Sequence, residues 1–215
     1  MQTPLFTALA LLLAGAPDAA DPPEDGPCPL CVSEKNPEEP TPAEPTPEID
    51  PALYKEADWP SPNDGKGLYA NDFQGRPLPV KLGSETWLSD EVDCSGRVLV
   101  INFWATWSVP CRQSRPRLDM LHRQHDDRLA VVTIAGVREK EAIVRAYLRE
   151  NPDSMVNLYD AQQTLYREFE SKGLPLALIV STDGVIRWMG HPLDPNFKPA
   201  LELVLAADPF FHGRD

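Results

Sequence analysis

The sequence predicts an α/β domain, a central mixed β-sheet flanked by helices on both faces and preceded by a disordered tail. Three observations carry this expectation. Two continuous apolar runs rich in β-branched residues, RVLVINFW (97–104) and LAVVTIAGV (129–137), read as buried strands. Each is followed by a stretch whose apolar residues recur at helical spacing. Further on, LALIV and VIRWMG are joined by STDG, a hairpin turn signal. Strand, helix, strand, helix, then a hairpin and a closing helix give a mixed sheet with two covered faces.

From the N-terminus, residues 5–16 (LFTALALLLAGA) form an apolar run too short to span a bilayer and of signal-peptide length. Small residues follow at Ala19 and Ala20, no Lys or Arg precedes the run, and Ala16 stands where a lipoprotein signal would carry cysteine. We expect a signal peptide over 1–20, hence export to the periplasm or outside the cell, where cysteine pairs persist as disulfides. Residues 21–65 are rich in Pro and Glu, poor in core-forming residues, and read as a disordered acidic linker. Residues 66–207 have ordinary globular composition and suit one domain, leaving 208–215 as a C-terminal tail. The whole chain of 215 residues carries 20 Lys and Arg against 33 Asp and Glu, a formal charge of −13. That balance argues against nucleic acid or an anionic membrane surface as a main partner, and leaves export as the only membrane involvement.

Within the domain, PLPVKL (77–82) reads as a short first strand. Cys111 to His125 is helical, with Leu118, Met120 and Leu121 available for one face. In EKEAIVRAYLRE, Ile143, Val144, Tyr147 and Leu148 recur at helical spacing, and Asn151-Pro152 ends the helix. DAQQTLYREFESKG reads as a helix with Asp160 as N-cap and Gly173 as its stop. FKPALELVLAA closes the fold.

The segments VLVINFWATWSVPCRQSRP and GLPLALIVSTDGVIRWMGHPLDP, about sixty residues apart, resemble two blocks of the TlpA/ResA-like branch of the thioredoxin superfamily. The first is similar to that family's active-site strand and helix, with the pattern N-F-W-A-T-W-C-x-P-C-R. The second is similar to its proline strand, hairpin and final helix. The resemblance covers about 68–207 and implies a thioredoxin-like fold, no cofactor, and thiol–disulfide chemistry on protein thiols and disulfides. It also implies a cis bond before Pro175, and a groove of Trp107, Pro110, Leu174 and Pro175 beside which an extended peptide can pair.

One departure is decisive: Ser108 occupies the place of the attacking cysteine, leaving Cys111, the resolving position, as the lone thiol of the tetrad. A serine hydroxyl with no adjacent base does not attack a disulfide, and serine is among the best helix N-caps. Cys94 precedes the strand 97–104, which spans about 23 Å at ~3.3 Å per residue, so it lies far beyond disulfide reach of Cys111. Cys28 and Cys31 form a C-x-x-C in the linker. They read first as a local pair and second as a redox relay to Cys111, since more than thirty linker residues at ~3.1 Å each reach any point on the domain. A metal site is not expected: no second C-x-x-C exists, and His122 and His125 read as solvent-facing. Three readings stay open. The chain is a redox protein using Cys111 alone or with Cys28 and Cys31, a non-catalytic module binding peptides at the Pro175 groove, or a thiol peroxidase. For the third, Ser108-x-x-Cys111 resembles the T-x-x-C of peroxiredoxins, and Arg112 and Arg115 stand near the thiol in sequence.

Overall fold

The computed structural model describes residues 49–64, 68–79, 82 and 85–212. The two longest strands are the two apolar runs: β2 (Val98–Phe103) and β3 (Leu129–Ala135). They pair in parallel, Val98 against Leu129 through Phe103 against Ile134. On its other side β2 pairs antiparallel with β5 (Leu176–Val180), which turns through Ser181–Gly184 into β6 (Ile186–Gly190). A short β4 (Val156–Tyr159) adds in parallel to β3, and a two-residue β1 (Thr86–Trp87) pairs with it antiparallel. The sheet order is β1-β4-β3-β2-β5-β6. The expected mixed sheet is thus present; its first strand among the described residues is Thr86–Trp87, and of PLPVKL the described Pro77 makes an isolated bridge to Val185.

Alternation along each strand builds two cores. Val98, Val100, Leu129, Val131 and Ile179 face one side, where α2 (Val109–Gln124) and α5 (Phe197–Ala207) cover them. Ile101, Phe103, Val132, Ile134 and Leu178 face the other, under Leu165 and Phe169. α3 (Glu141–Glu150) buries Val144 against Trp104 and Cys111. The expected Leu118 and Leu121 are buried on α2, whereas Met120 is exposed, one position off that face. α4 is shorter than its sequence suggests, Thr164–Glu168. Asp160 still accepts from the backbone N–H groups of Gln162 and Leu165, but Gly173 lies five residues beyond the helix end and serves a different contact, against the Tyr69 ring.

Both expected domain boundaries move outward. Residues 50–64, expected as linker, carry helix α1 (Pro51–Glu56), capped by Asp50, and dock on the sheet. Ile49 and Trp59 pack on the first core, Tyr54 shares a 2.7 Å hydrogen bond with the Thr182 hydroxyl, and the Arg187 guanidinium lies 3.8 Å over the Trp59 ring. Three large side chains in a Pro-rich stretch are enough to order it, because each removes apolar area from water. At the other end, Phe210 and Phe211 are buried in a 3₁₀ turn (Pro209–Phe211). Asp208, fully buried, accepts from the Thr182 N–H and hydroxyl and from the Phe210 N–H. Residues 208–212 therefore belong to the core and not to a tail.

Candidate functional site

β2 delivers the chain through Trp104–Trp107 to the N-terminus of α2. Ser108 is the N-cap: its backbone is extended (φ −85°, ψ 115°), and its hydroxyl accepts from the Cys111 N–H at 3.4 Å. Pro110 takes the second helical position, where its missing N–H costs nothing. Cys111, one residue on, is fully buried. Burial pushes its thiol pKa up, and the Glu139 carboxylate adds to this. Hydrogen bonds from Ser108 and from the Ala105 backbone, with the charge of Arg115, oppose the rise without reversing it. Among the described residues no imidazole or carboxylate hydrogen-bonds the Ser108 hydroxyl. The Glu139 carboxylate accepts instead from the N–H and hydroxyl of Thr106.

The rim differs from this buried centre. Trp107 is half exposed and donates its Nε1–H to the Val137 carbonyl at 3.0 Å, and Val109 is equally exposed. The Leu174–Pro175 bond is cis, as the resemblance implied. Leu174 packs against the Trp104–Cys111 cluster, and neither its N–H nor its C=O has a hydrogen-bond partner among the described residues. Next to it, Tyr69 donates its hydroxyl to the Pro175 carbonyl, and burial, with a smaller contribution from Cys111, pushes its phenol pKa up. The site thus joins Ser108, Cys111, Leu174 and Pro175 with Trp107 and Pro110 of the same loop. Cys28 and Cys31 lie outside the described residues. Cys94 sits before the first residue of β2, at the opposite end of the strand from Cys111, half-buried against the second core.

Sequence reasoning missed the support beneath the loop. Arg115, placed by the sequence only as near the thiol, is 4% exposed. Its guanidinium lies 3.9 Å over the Trp104 ring, pairs with Asp153, and donates to the Thr133 hydroxyl and the Asn157 side-chain oxygen. Asn102, Thr133 and Asn157 stand opposite one another on β2, β3 and β4, a polar row on the α2 side of the sheet. Tyr69, near the start of the expected 66–207 domain, belongs to no motif and carried no signal. His122 is half-buried and not solvent-facing: its Nδ1 accepts from the Val131 N–H, and burial lowers its pKa. No group of metal-ligating side chains occurs among the described residues.

Cavities open away from this loop. One of about 750 Å³ opens beside Tyr54, Trp59, Asp183, Arg187 and Phe210, at the end of β5 opposite Pro175. The site is an exposed rim of Trp107 and Val109 beside a buried thiol. Native Cys111 is accordingly expected to resist iodoacetamide at neutral pH and to label fully in denaturant. Labelling in minutes on the folded chain, followed by peptide mass mapping, would show the thiol to be open.

A parallel–antiparallel sheet with a helix N-terminus bearing the tetrad and a cis-proline beside it is the arrangement of thioredoxin-fold proteins. Residues 96–186 match the profile of a thioredoxin-like family. The thioredoxin-like protein YneN of Bacillus subtilis is 31% identical over 124 residues, 57% of this chain and 69% of the relative. The thiol:disulfide interchange protein DsbE of Pseudomonas aeruginosa is 31% identical over 134 residues, 60% of this chain and 70% of that protein. Among solved structures, a DsbE-type protein from Chlorobium tepidum superposes with a TM-score of 0.52 at 25% identity, covering 62% of this chain and 96% of that one. This chain belongs to the thioredoxin-like family, in the TlpA/ResA-like branch that includes thiol-disulfide oxidoreductases.

Proposed function

We propose that this protein is an exported member of its family that binds extended segments of thiol- or disulfide-bearing proteins and does not run a two-cysteine exchange cycle. The observation that carries this reading is the contrast between a fully buried Cys111 of raised pKa and a rim where Trp107 and Val109 are half exposed. Exchange needs an exposed thiolate to attack and a second thiol to resolve. Recognition needs an apolar anchor and free backbone groups, which Trp107 and Leu174 supply. A peroxidatic role is disfavoured by the same burial, and by the engagement of Arg115 with Asp153. Export rests on the apolar run at 5–16.

Fluorescently labelled extended peptides, titrated with the full chain, test this reading. Trp107→Ala is expected to weaken binding by about tenfold, the scale of a truncated aromatic anchor, with the folded state unchanged. Unaltered affinity would remove the groove from consideration. Reversible joining of Cys111 to Cys28 or Cys31 under a glutathione buffer would overturn the non-catalytic reading in favour of a relay.

A further inference from the structure

The chain is strongly acidic, yet the loops around the groove are not. Over 105–112, 136–141 and 170–175 the exposed charged side chains are Arg112, Arg138, Lys140 and Lys172 against one acid, Glu170. The other two acids of these loops are engaged: Glu139 accepts from Thr106, and Glu141 pairs with Arg145. None of the four cations has an ion-pair partner among the described residues. Arg138 holds its guanidinium 5.9 Å from the Trp107 ring centre, and Arg112 donates to the Thr106 carbonyl, so two of them are fixed beside the exposed indole. The first turn of α2 carries no acidic residue, although the positive end of a helix dipole favours one there. Its place is held by a neutral cap, with an arginine following.

We infer that the groove selects acidic extended segments: an apolar residue against Trp107 and Val109, with carboxylates on either side meeting the cationic rim. This rests on the peptide-binding reading above and names the chemistry of its partner. A single exposed ion pair contributes little. Two arginines held beside one apolar anchor, with two more unpaired cations on the neighbouring loops of an otherwise acidic chain, are what gives a preference its size and sign.

The test uses the full chain and two synthetic extended peptides that share an apolar centre, one flanked by glutamates and the other by lysines, followed by fluorescence anisotropy. The glutamate peptide is expected to bind at least about tenfold more tightly at low salt, with the preference shrinking severalfold at ~0.5 M NaCl, where the screening length falls to a few ångströms. Arg138→Glu combined with Lys172→Glu should equalise the two peptides, and Lys140→Glu should weaken the preference on its own. Arg149→Glu, at the far end of α3, changes net charge in the same direction and should leave the preference in place. Equal binding of both peptides, or an equal effect of Arg149→Glu, overturns the acidic selection while the groove stands. Binding of neither peptide overturns the groove reading with it.

Discussion

In the Ser108→Cys variant, a thiol–disulfide exchange activity is expected to appear on the wild-type scaffold. The introduced thiol would occupy the N-cap of α2, where the helix dipole and unpaired N–H groups stabilise a thiolate. Cys111, three residues on, is placed to resolve. Oxidised glutathione would take two electrons from the two thiols, leaving an internal disulfide and, with the two thiol protons, two reduced glutathiones. The rate with a disulfide substrate should rise by on the order of 100-fold over wild type, since the attacking thiolate replaces a hydroxyl that does not ionise near neutrality. The reduced variant should lose about 1 kcal/mol of stability with the serine cap. Two thiols that both stay free in an oxidising glutathione buffer would show that the loop's shape, and not the residue at 108, prevents the chemistry.

Arg115→Met should be the most destabilising single change near the site, by about 3–5 kcal/mol, the cost of leaving a buried partner charge uncompensated. Asp153, its side chain 8% exposed, would keep its carboxylate with only the Met155 N–H and the Asn157 amide to answer it. The Trp104 ring would lose the guanidinium stacked on it. Urea unfolding monitored at unchanged slope gives the number, and Asp153→Asn in the same background should recover part of the loss. Because Trp104 and Cys111 share one cluster, the variant should also alkylate faster at Cys111. A loss below about 1 kcal/mol would mean that the pair contributes no more than an exposed one.

How far a feature is legible in the sequence depends on how local its cause is. β2 and β3 are continuous apolar runs, and the Ser108–Cys111 turn is contiguous, so the elements that place the site can be read from the chain itself. β4 cannot: VNLY is four residues long and is a strand only because Ile134 and Thr133 lie beside it. Arg115 looks like any arginine in a helix, and its burial follows from Asp153 and Asn157, some forty residues later, arriving under the same helix. His122 has surface spacing, yet its ring turns inward to an N–H that β3 supplies. The arm around Tyr54 and Trp59 is hidden by its proline content, which reports on local stiffness and says nothing of what an aromatic ring can dock against.

The margins of the sheet bear on how such a protein behaves when concentrated. On β6, Ile186 exchanges backbone hydrogen bonds with Gly75 and Arg76, while the side-chain amides of Gln74 and Asn63 take the N–H and C=O of Met189. A stretch of irregular chain thereby stands in for a neighbouring strand. At the opposite margin β1 is only two residues long, too short to template another chain. Both borders thus offer little open strand for the runaway stacking by which sheet proteins polymerise. Such a molecule is expected to stay monodisperse at concentrations where an open-edged sheet would seed its own aggregation.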